Sequence, residues 1–569
     1  MSTPPVQRPQ LRITRVSSQL WLLLVWGLLL GLSFPRLNLW LLAHVALVPL
    51  TLVAVRGHRT RRVLVLSFLA GSAWWAVMVS WLIPVTFGGY VVLSFYLGLY
   101  VAAFVGAVRV LAGRGRVPLV LVVPLVQVAC EYVRGLLVTG FPWFLLGHSQ
   151  PRTMIQVADV FGAYGVSFAV AATSGLICDL LLQPLRRPTP EGGRWGMPVR
   201  LSLPLWAVLI AGSIGYGVYR LAEFEAGRSP SISPQPATIR VAVIQSNVPQ
   251  SNKDNPAPGE DEKNFQKMLG WSAEAAKQRP DLILWPETMV PRALNEEAVS
   301  IYRRVPRGAA VYRDRLEAFA RETGVPLIVG APAMAGIETL GDGRRRFARR
   351  YNSAYLVDGS STRLPRYDKL HRVPFGEYIP WVENSPRLKK WALSFTPYDY
   401  DYTLTRGEAI VRFSVDAGAE SWRVAAPICF EDVVSYMPRR MVFGAGADKL
   451  ADLLVNLTND GWFAGRAEGP QHEQIARFRC VENRVPMARA VNTGISSFID
   501  STGLVVGRVS DAEGRLQSVG GWAIAELTRD GRRTLFARTG DLLAAVCLCL
   551  VVLWLAVQAV AGRRREADR

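Results

Sequence analysis

The sequence predicts a multi-pass α-helical membrane protein that carries an inserted α/β domain on the extracytoplasmic side. Two observations lead to this fold class. Residues 19–222 consist mostly of long apolar stretches, whereas residues 236–536 carry charges throughout and contain short β-rich runs. At 569 residues the chain is long enough for two or more folded units, and its hydrophobic fraction of 50% averages over both parts.

Eight segments are apolar enough to cross a bilayer as helices. A transmembrane helix needs roughly 20 mostly apolar residues, because its backbone polar groups must be satisfied internally in hydrocarbon. A bundle of about seven helices precedes the α/β domain, and one helix follows it. The first two segments are short and closely spaced, so a re-entrant hairpin is the alternative there. The predicted spans are 19–34, 37–55, 63–87, 90–112, 117–137, 155–182, 201–221 and 539–560.

Clusters of Lys and Arg in the connections predict the direction of each span. Such clusters near helix ends favour the cytoplasmic side, and here they fall on every second connection. With eight crossings, the terminal segments 1–18 and 561–569 are cytoplasmic and the domain at 236–536 is extracytoplasmic. The first span lacks a convincing small-residue cleavage site, which argues against a cleaved signal peptide. The basic segments are 8–15, 56–62, 109–116, 186–200 and 563–565.

Charge and motif content exclude several classes of protein. The formal net charge is +20, but many basic residues flank apolar stretches and do not form one stripe, so we expect no nucleic-acid partner. We find no zinc-type cysteine spacing and no Walker glycine loop, and we therefore expect no metal and no cofactor. Only Cys429 and Cys480 lie in the α/β segment, which excludes a disulfide scaffold but leaves one bridge possible.

The α/β segment alternates short β-rich runs with helical stretches, as a layered α/β domain does. Helical spacing occurs at 265–278 and 313–322, and these stretches would cover the faces of the sheet. Polar residues cluster where several strands end, the position at which open α/β sheets place their chemistry. The predicted strands are 240–247, 282–285, 327–330, 353–357, 423–428, 453–457 and 496–499.

Three motifs at strand ends carry the candidate chemistry. Glu287 closes the run Trp285-Pro286-Glu287, Lys369 lies in a downstream loop, and Cys429 lies at a strand-to-turn bend. A Glu, a Lys and a Cys in this order resemble the nitrilase (carbon-nitrogen hydrolase) superfamily. The resemblance implies a nitrilase-like αββα sandwich in which these three residues form the catalytic trio.

A narrower resemblance covers nearly the whole chain. The flanking membrane helices, the loop Phe141-Pro142-Trp143 and the run at 371–378 look like the apolipoprotein N-acyltransferase family. This resemblance implies N-acylation of the N-terminal diacylglyceryl-cysteine of an apolipoprotein, with a phospholipid as acyl donor and membrane lipids as surroundings. It also implies a bacterial inner-membrane location with a periplasmic catalytic domain. Trp143 is a candidate substrate-binding residue, and interfacial anchoring is the equally weighted alternative.

The implied chemistry is ping-pong acyl transfer through a thioester on Cys429. A free thiol is mostly protonated at neutral pH, so a nucleophilic cysteine needs a base or a positive neighbour. Glu287 would act as the base, and Lys369 would stabilise the thiolate and then the oxyanion of the tetrahedral intermediate. The candidate supporting residues are Glu377, Glu431 and Phe430.

Each candidate also has an ordinary structural interpretation. A single Cys on an apolar strand is more often a core residue, and a lone strand-end Glu or loop Lys is usually solvated. Cys480 is expected to be a packed helix residue, and His472 is expected to be structural or at the surface. Two other functions stay open, a membrane-tethered amidase and an inactive polytopic scaffold. The number of spans disfavours the amidase, and the intact trio disfavours the scaffold.

Overall fold

The computed structural model describes residues 13–112, 117–182, 197–229, 235–249, 257–302, 308–339, 341, 345–382, 385–393, 402–463 and 467–567. The chain divides into two compact units, Met1–Tyr219 with Asp541–Arg569 and Arg220–Gly540. Parts of the predicted basic segments, at residues 8–12, 113–116 and 186–196, lie outside the described residues.

Helices make up most of the first unit and flank the sheets of the second. Four-residue helices lie at Arg152–Ile155 and Phe536–Thr539. The longer α-helices are α1 Val16–Ser33, α2 Ala43–Arg56, α3 Thr60–Met78, α4 Phe87–Ala112, α5 Leu119–Leu136, α6 Ala158–Leu182, α7 Met197–Gly227, α8 Glu260–Ala276, α9 Glu296–Tyr302, α10 Ala309–Thr323, α11 Pro386–Leu393, α12 Tyr436–Phe443, α13 Glu468–Asn483 and α14 Leu542–Ala567.

Each of the eight predicted spans overlaps one of the helices α1 to α7 or α14. Among the described residues, six helices are long and apolar enough to cross a membrane: Val16–Ser33, Phe87–Ala112, Leu119–Leu136, Ala158–Leu182, Arg200–Gly227 and Leu542–Ala561. The apolar segment that includes α2 is shorter, Trp40–Arg56, and α3 carries Arg61 and Arg62 in its first turn. The predicted class of a multi-pass helical membrane protein is confirmed.

The predicted end of the third span is wrong. Helix α3 stops at Met78, and the 3-10 turn Ser80–Leu82 follows it. Pro84 follows this turn after Ile83 and has no amide N–H, which disfavours continuation of the helix, although Pro49, Pro124 and Pro204 are accommodated inside other helices. The remaining apolar residues of the predicted span form the connection to α4.

The second unit contains two six-stranded sheets. Their strands are β1 Thr238–Gln245, β2 Leu282–Leu284, β3 Leu327–Thr339, β4 Arg345–Val357, β5 Arg366–Asp368, β6 Arg412–Ala417, β7 Glu420–Ala425, β8 Leu453–Thr458, β9 Met487–Val491, β10 Ser497–Ile499, β11 Val505–Arg508 and β12 Gly521–Thr528. The strand orders are β12-β1-β2-β3-β4-β5 and β11-β10-β9-β8-β7-β6. The central pairs β1–β2–β3 and β7–β8–β9 are parallel, and the outer pairs are antiparallel.

Alternating side chains of β1 show how the layers pack. Val241 and Val243 belong to a buried cluster that also contains residues of β7 and β8, so this cluster lies between the two sheets. Ala242 and Ile244 point the other way and cluster with Phe265 of α8 and with residues of α10. The same buried cluster continues through the second sheet to apolar side chains of helices α12 and α13. The layers are therefore helix, sheet, sheet and helix, and the predicted αββα sandwich is confirmed.

Candidate active site

The three chemistry-bearing motifs follow strands of the α/β unit. Glu287 comes three residues after the end of β2, and Lys369 directly follows β5. Cys429 comes after Ile428, which forms an isolated parallel bridge with Leu457 of β8. Residues that are distant in the chain are thereby brought to one region.

Lys369 is the centre of a buried ionic cluster. Its side chain is only 2% exposed, and its Nζ lies 2.7 Å from Glu377 Oε1 and 3.9 Å from Glu287 Oε1. Burial by itself works against the ammonium charge, but the carboxylates of Glu377 and Glu287 outweigh it and raise the pKa of Lys369. Lys369 therefore stays charged and can stabilise negative charge that develops near it.

Asn352 of β4 joins the two carboxylates of this cluster. Its Nδ2 donates to Glu287 Oε1 at 2.6 Å and to Glu377 Oε1 at 3.4 Å. Glu377 is also fixed from the other side, because the Val373 N–H donates to its Oε2 at 2.8 Å. The sequence analysis did not find Asn352. In the sequence it is recognisable only as a polar residue directly before the predicted strand 353–357.

Gly330 of β3 allows the segment that carries Glu287 to lie close to the sheet. A Cβ atom on Gly330 would lie 2.6 Å from Glu287 Cα and 2.6 Å from Thr288 N, a separation that real Cβ atoms essentially never show. Thr288 itself has a positive φ of 51°. The tight approach of these two segments therefore depends on a residue without a side chain.

Cys429 begins the 3-10 turn Cys429–Asp432 in a left-handed conformation, with a φ of +50°. Residues other than glycine rarely adopt this conformation, and such strained positions cluster at functional sites. The side-chain amide of Asn456 on β8 donates to the Cys429 carbonyl oxygen at 3.2 Å. A neighbouring strand therefore holds the turn that presents the thiol.

The surroundings of the thiol oppose its ionisation at rest. Burial and the negative Glu287 raise the pKa of Cys429 well above its usual value, whereas Lys369 and a hydrogen bond with Thr458 act in the opposite direction. The thiol is therefore neutral in the resting site. It needs transfer of its proton to a base before it can attack.

Glu431 connects the lysine segment with the nucleophile turn. Its Oε1 accepts hydrogen bonds from Leu370 N at 2.8 Å and His371 N at 2.9 Å, and its Oε2 accepts one from Ile428 N at 2.8 Å. The Tyr367 hydroxyl also donates to Glu431, at 2.8 and 3.0 Å from the two oxygens. Burial raises the pKa of Glu431 to about 7, although these hydrogen bonds act in the opposite direction. Glu431 thus links the segment that follows Lys369 to the turn that begins at Cys429.

Phe430, the residue after Cys429, packs against His371 in the segment after Lys369. The Phe430 ring stacks on the imidazole of His371, with centroids 5.8 Å apart and an angle of 22° between the planes. Burial, Lys369 and Arg406 lower the pKa of His371 to about 4, so this ring is neutral at physiological pH.

Trp143 lies in the other unit and is buried there. It stacks on Phe141 at 6.0 Å and packs against Trp81 at 5.3 Å between ring centroids. The loop is bonded to α5, since the Phe141 N–H donates to the carbonyl oxygen of Arg134 at 2.9 Å. A substrate contact by Trp143 stays a prediction.

Cys480 and His472 both lie on α13 and are buried. Cys429 and Cys480 are free thiols, so the possible bridge between them is not formed. The alternative that His472 lies at the surface is wrong. Asp460, Glu468 and His472 offer one ligand atom each within 4.8 Å of one another, but His472 already contacts Glu468 directly, with its Nδ1 3.1 Å from Oε1.

Comparison with known proteins assigns the chain. Two family models match it, "Apolipoprotein N-acyltransferase N-terminal domain" over residues 26–176 and "Carbon-nitrogen hydrolase" over residues 240–531. The apolipoprotein N-acyltransferase of Geobacter metallireducens is 34% identical over 555 residues, which cover 95% of this chain and 94% of that protein. The chain belongs to the apolipoprotein N-acyltransferase family. The relative from Chlorobaculum tepidum is 28% identical over 568 residues, 96% of this chain and 98% of that protein.

An amidase from Nesterenkonia sp. with a solved structure is also similar, with 19% identity and a TM-score of 0.36 over 55% of this chain and 98% of the amidase. The family assignment rests on the sequence matches. As a member of the apolipoprotein N-acyltransferase family, the chain is an acyltransferase of a bacterial membrane. The resemblance found in the sequence, to this family and to the carbon-nitrogen hydrolases, is confirmed.

Proposed function

We propose that this enzyme transfers a fatty acyl group from a phospholipid to the N-terminal amine of an apolipoprotein whose first residue is a diacylglyceryl-cysteine. One observation carries the proposal. A buried lysine held between two glutamates lies near a cysteine that begins a strained turn. This set supplies a nucleophile, a base and a stabilising cation, which are the parts that covalent acyl transfer needs.

The first half-reaction acylates Cys429. Its sulfur attacks the ester carbonyl carbon of the phospholipid while the thiol proton passes to Glu287. The negative charge moves to the carbonyl oxygen, where the Lys369 ammonium stabilises it. The intermediate then collapses to a thioester, and the lysophospholipid leaves as an alcohol that takes back the proton from Glu287.

The second half-reaction resolves the thioester. The neutral N-terminal amine of the apolipoprotein attacks the thioester carbonyl and gives one proton to Glu287. Collapse of the second intermediate forms the amide and releases the Cys429 thiolate, which regains that proton. In both halves Glu377 and Asn352 keep Lys369 and Glu287 in place.

Two features support lipid-linked substrates for this site. The relatives named above are apolipoprotein N-acyltransferases. In the segment after Lys369, the side chains of Phe375 and Trp381 are 56% and 77% exposed. Large exposed aromatic side chains favour contact with an apolar or interfacial surface.

The topology proposal follows from the basic connections. We infer that both termini face the cytoplasm and that the α/β domain at 236–536 is periplasmic, with the last span at 539–560 returning the chain through the inner membrane. The described basic segment at 56–62 connects α2 with α3, and Arg109 lies in the last turn of α4. Both positions fit the cytoplasmic side.

The decisive test is mass spectrometry of the detergent-solubilised full chain after mixing with phospholipid. We expect a mass gain of one fatty acyl group that hydroxylamine removes and that Cys429→Ala and Cys429→Ser lack. The acyl group should move to the amine of a diacylated lipopeptide when that peptide is added. Release of ammonia from amides without an acyl adduct would instead indicate an amidase and refute the proposal.

A further inference from the structure

Behind the nucleophile turn lies a second buried charged cluster, formed by residues of four different elements. Asp432 ends the turn Cys429–Asp432, Asp460 follows β8, and Arg489 lies on β9. Glu468 and His472 lie one helical turn apart on α13. All five residues are at most 2% exposed.

Asp432 accepts one charged hydrogen bond on each carboxylate oxygen. Its Oδ1 lies 2.6 Å from His472 Nε2, and its Oδ2 lies 2.6 Å from Arg489 Nη1. Such charge-assisted hydrogen bonds are short and roughly twice as strong as neutral ones. Asp432 is only three residues from Cys429, so these two bonds anchor the far end of the turn that carries the thiol.

The carboxyl groups around His472 favour its protonated form. Nε2 faces a carboxylate oxygen of Asp432 and therefore donates. Nδ1 lies 3.1 Å from Glu468 Oε1 and 3.6 Å from Asp460 Oδ1, so carboxyl groups lie beside both ring nitrogens. A positively charged imidazolium is the form of the ring that such neighbours stabilise. Burial opposes the charge, but Asp432 outweighs it and raises the pKa of His472 well above its usual value.

A second contact links the same cluster to the other side of the turn. Arg489 pairs in register with Asn456 on the neighbouring strand, and Asn456 donates to the carbonyl oxygen of Cys429. The turn is therefore held at its first residue by Asn456 and at its last residue by Asp432.

We propose that His472, as an imidazolium, and Arg489 are positioning residues: through Asp432 they hold the strained turn that aims the Cys429 sulfur. The proposal rests on the proposed function, in which Cys429 is the nucleophile. Loss of either partner removes one of the two bonds that hold Asp432 and releases the end of the turn, so the sulfur leaves its attacking position. The first acylation step slows while phospholipid binding stays the same.

The test compares full-length variants in detergent. Asp432→Asn, His472→Gln and Arg489→Met are expected to lower the rate of acylation per reactive Cys429 by roughly 10- to 100-fold, the effect of losing one charge-assisted hydrogen bond. The KM for phospholipid should not change. Arg489→Lys should recover most of the rate, because a lysine can donate the single bond that Arg489 makes to Asp432.

A matched control separates positioning from general stability. Glu473→Gln removes a bidentate pair with Arg508, at 2.9 and 2.8 Å, from the same helix α13. We expect this variant to lower the melting temperature but to keep the wild-type rate per site, counted by alkylation of Cys429 with iodoacetamide. If the cluster variants lose only melting temperature, or if Arg489→Lys is as slow as Arg489→Met, positioning is wrong.

Three outcomes have distinct meanings. An active Cys429→Ala protein would overturn the proposed function itself, whereas an inactive Cys429→Ala protein beside a fully active Asp432→Asn protein overturns only the positioning role. One equivalent of a metal in the purified wild type, absent from His472→Gln, would also overturn the imidazolium assignment, because a metal ion would then occupy the place of the Nδ1 proton.

Discussion

Replacement of Glu431 by Gln should slow acylation of Cys429 strongly, although neither the proposed nucleophile nor the proposed base is changed. All the groups that contact the Glu431 carboxylate are donors: three backbone N–H groups and the Tyr367 hydroxyl. A glutamine has one oxygen and one NH2 group in the same space. Its NH2 group must face at least one of the N–H donors, and the best orientation sacrifices the bond from Ile428.

The expected size follows from that lost bond. Above pH 7, where Glu431 is ionised, a hydrogen bond to this charged group contributes about 1.5–3 kcal/mol, and about 1.4 kcal/mol corresponds to a factor of ten in rate. If the free energy of this bond is lost from the transition state for acylation, acylation should slow roughly 10- to 150-fold. Quenched-flow mass spectrometry of the acyl-enzyme measures this rate, and iodoacetamide alkylation counts the intact sites.

Asp452→Asn is the matched control for Glu431→Gln. Asp452 is also a buried carboxylate that accepts a backbone N–H, from Arg423 at 3.1 Å, and it also bonds the Arg423 guanidinium. It lies at the start of β8, away from the end that contacts the nucleophile turn. The Asp452→Asn substitution should lower the melting temperature and leave the acylation rate per site unchanged. A Glu431→Gln enzyme with a wild-type rate per site, or an equally slow Asp452→Asn enzyme, would refute the reasoning.

Three other substitutions test separate parts of the site. Asn352→Leu removes the amide that Glu287 and Glu377 share, and we expect about a 10- to 100-fold slower acylation in the same assay; an unchanged rate would contradict its role. Gly330→Ala should slow acylation without changing the thiol count, because the new Cβ displaces Glu287. His371 has a folded pKa of about 4 against 6.5, so the unfolded chain binds one more proton between these values. The free energy of unfolding therefore falls as the pH is lowered from about 6.5 to 4, because protonation of His371 favours the unfolded chain. His371→Gln should flatten the melting temperature over this range, and identical profiles would disprove it.

The site residues that could be predicted from the sequence are those whose immediate neighbours in the chain mark the end of a strand. Glu287, Lys369 and Cys429 each follow a strand, and a strand end can be recognised from the apolar run before it. The left-handed conformation of Cys429 could not be predicted, because a cysteine does not signal a positive φ as a glycine does. Asn352 was missed for a different reason. Its partners lie 65 and 25 residues away in the chain, so its role exists only in the folded state.

Strand β9 is an element of the fold that could not be predicted from the sequence for a similar reason. Met487–Val491 has an arginine at its centre, which argues against a buried strand when only the sequence is known. The structure buries this strand completely, because Arg489 pairs with Asp432 and its charge is compensated. The hairpin of β3 and β4 was predicted too short, at 327–330 and 353–357, since its outer part exposes charged side chains on β4 and lacks a core pattern.

The charges of the buried site explain how the proposed reaction can proceed away from bulk water. At rest the Lys369 ammonium faces two carboxylates, Glu377 and Glu287, and a neutral Cys429 thiol. When the thiol proton moves to Glu287, one negative charge leaves the carboxylate and another appears on sulfur, so the net charge of the site does not change. Attack then moves this charge to the carbonyl oxygen without creating a new one. An isolated charge in a low-dielectric interior is energetically costly. A base inside the cluster keeps the proton in the site and avoids this cost, whereas loss of the proton to solvent would add a negative charge to the site. Glu287 therefore has to be buried together with Lys369, and an exposed base at the same distance would not serve equally well.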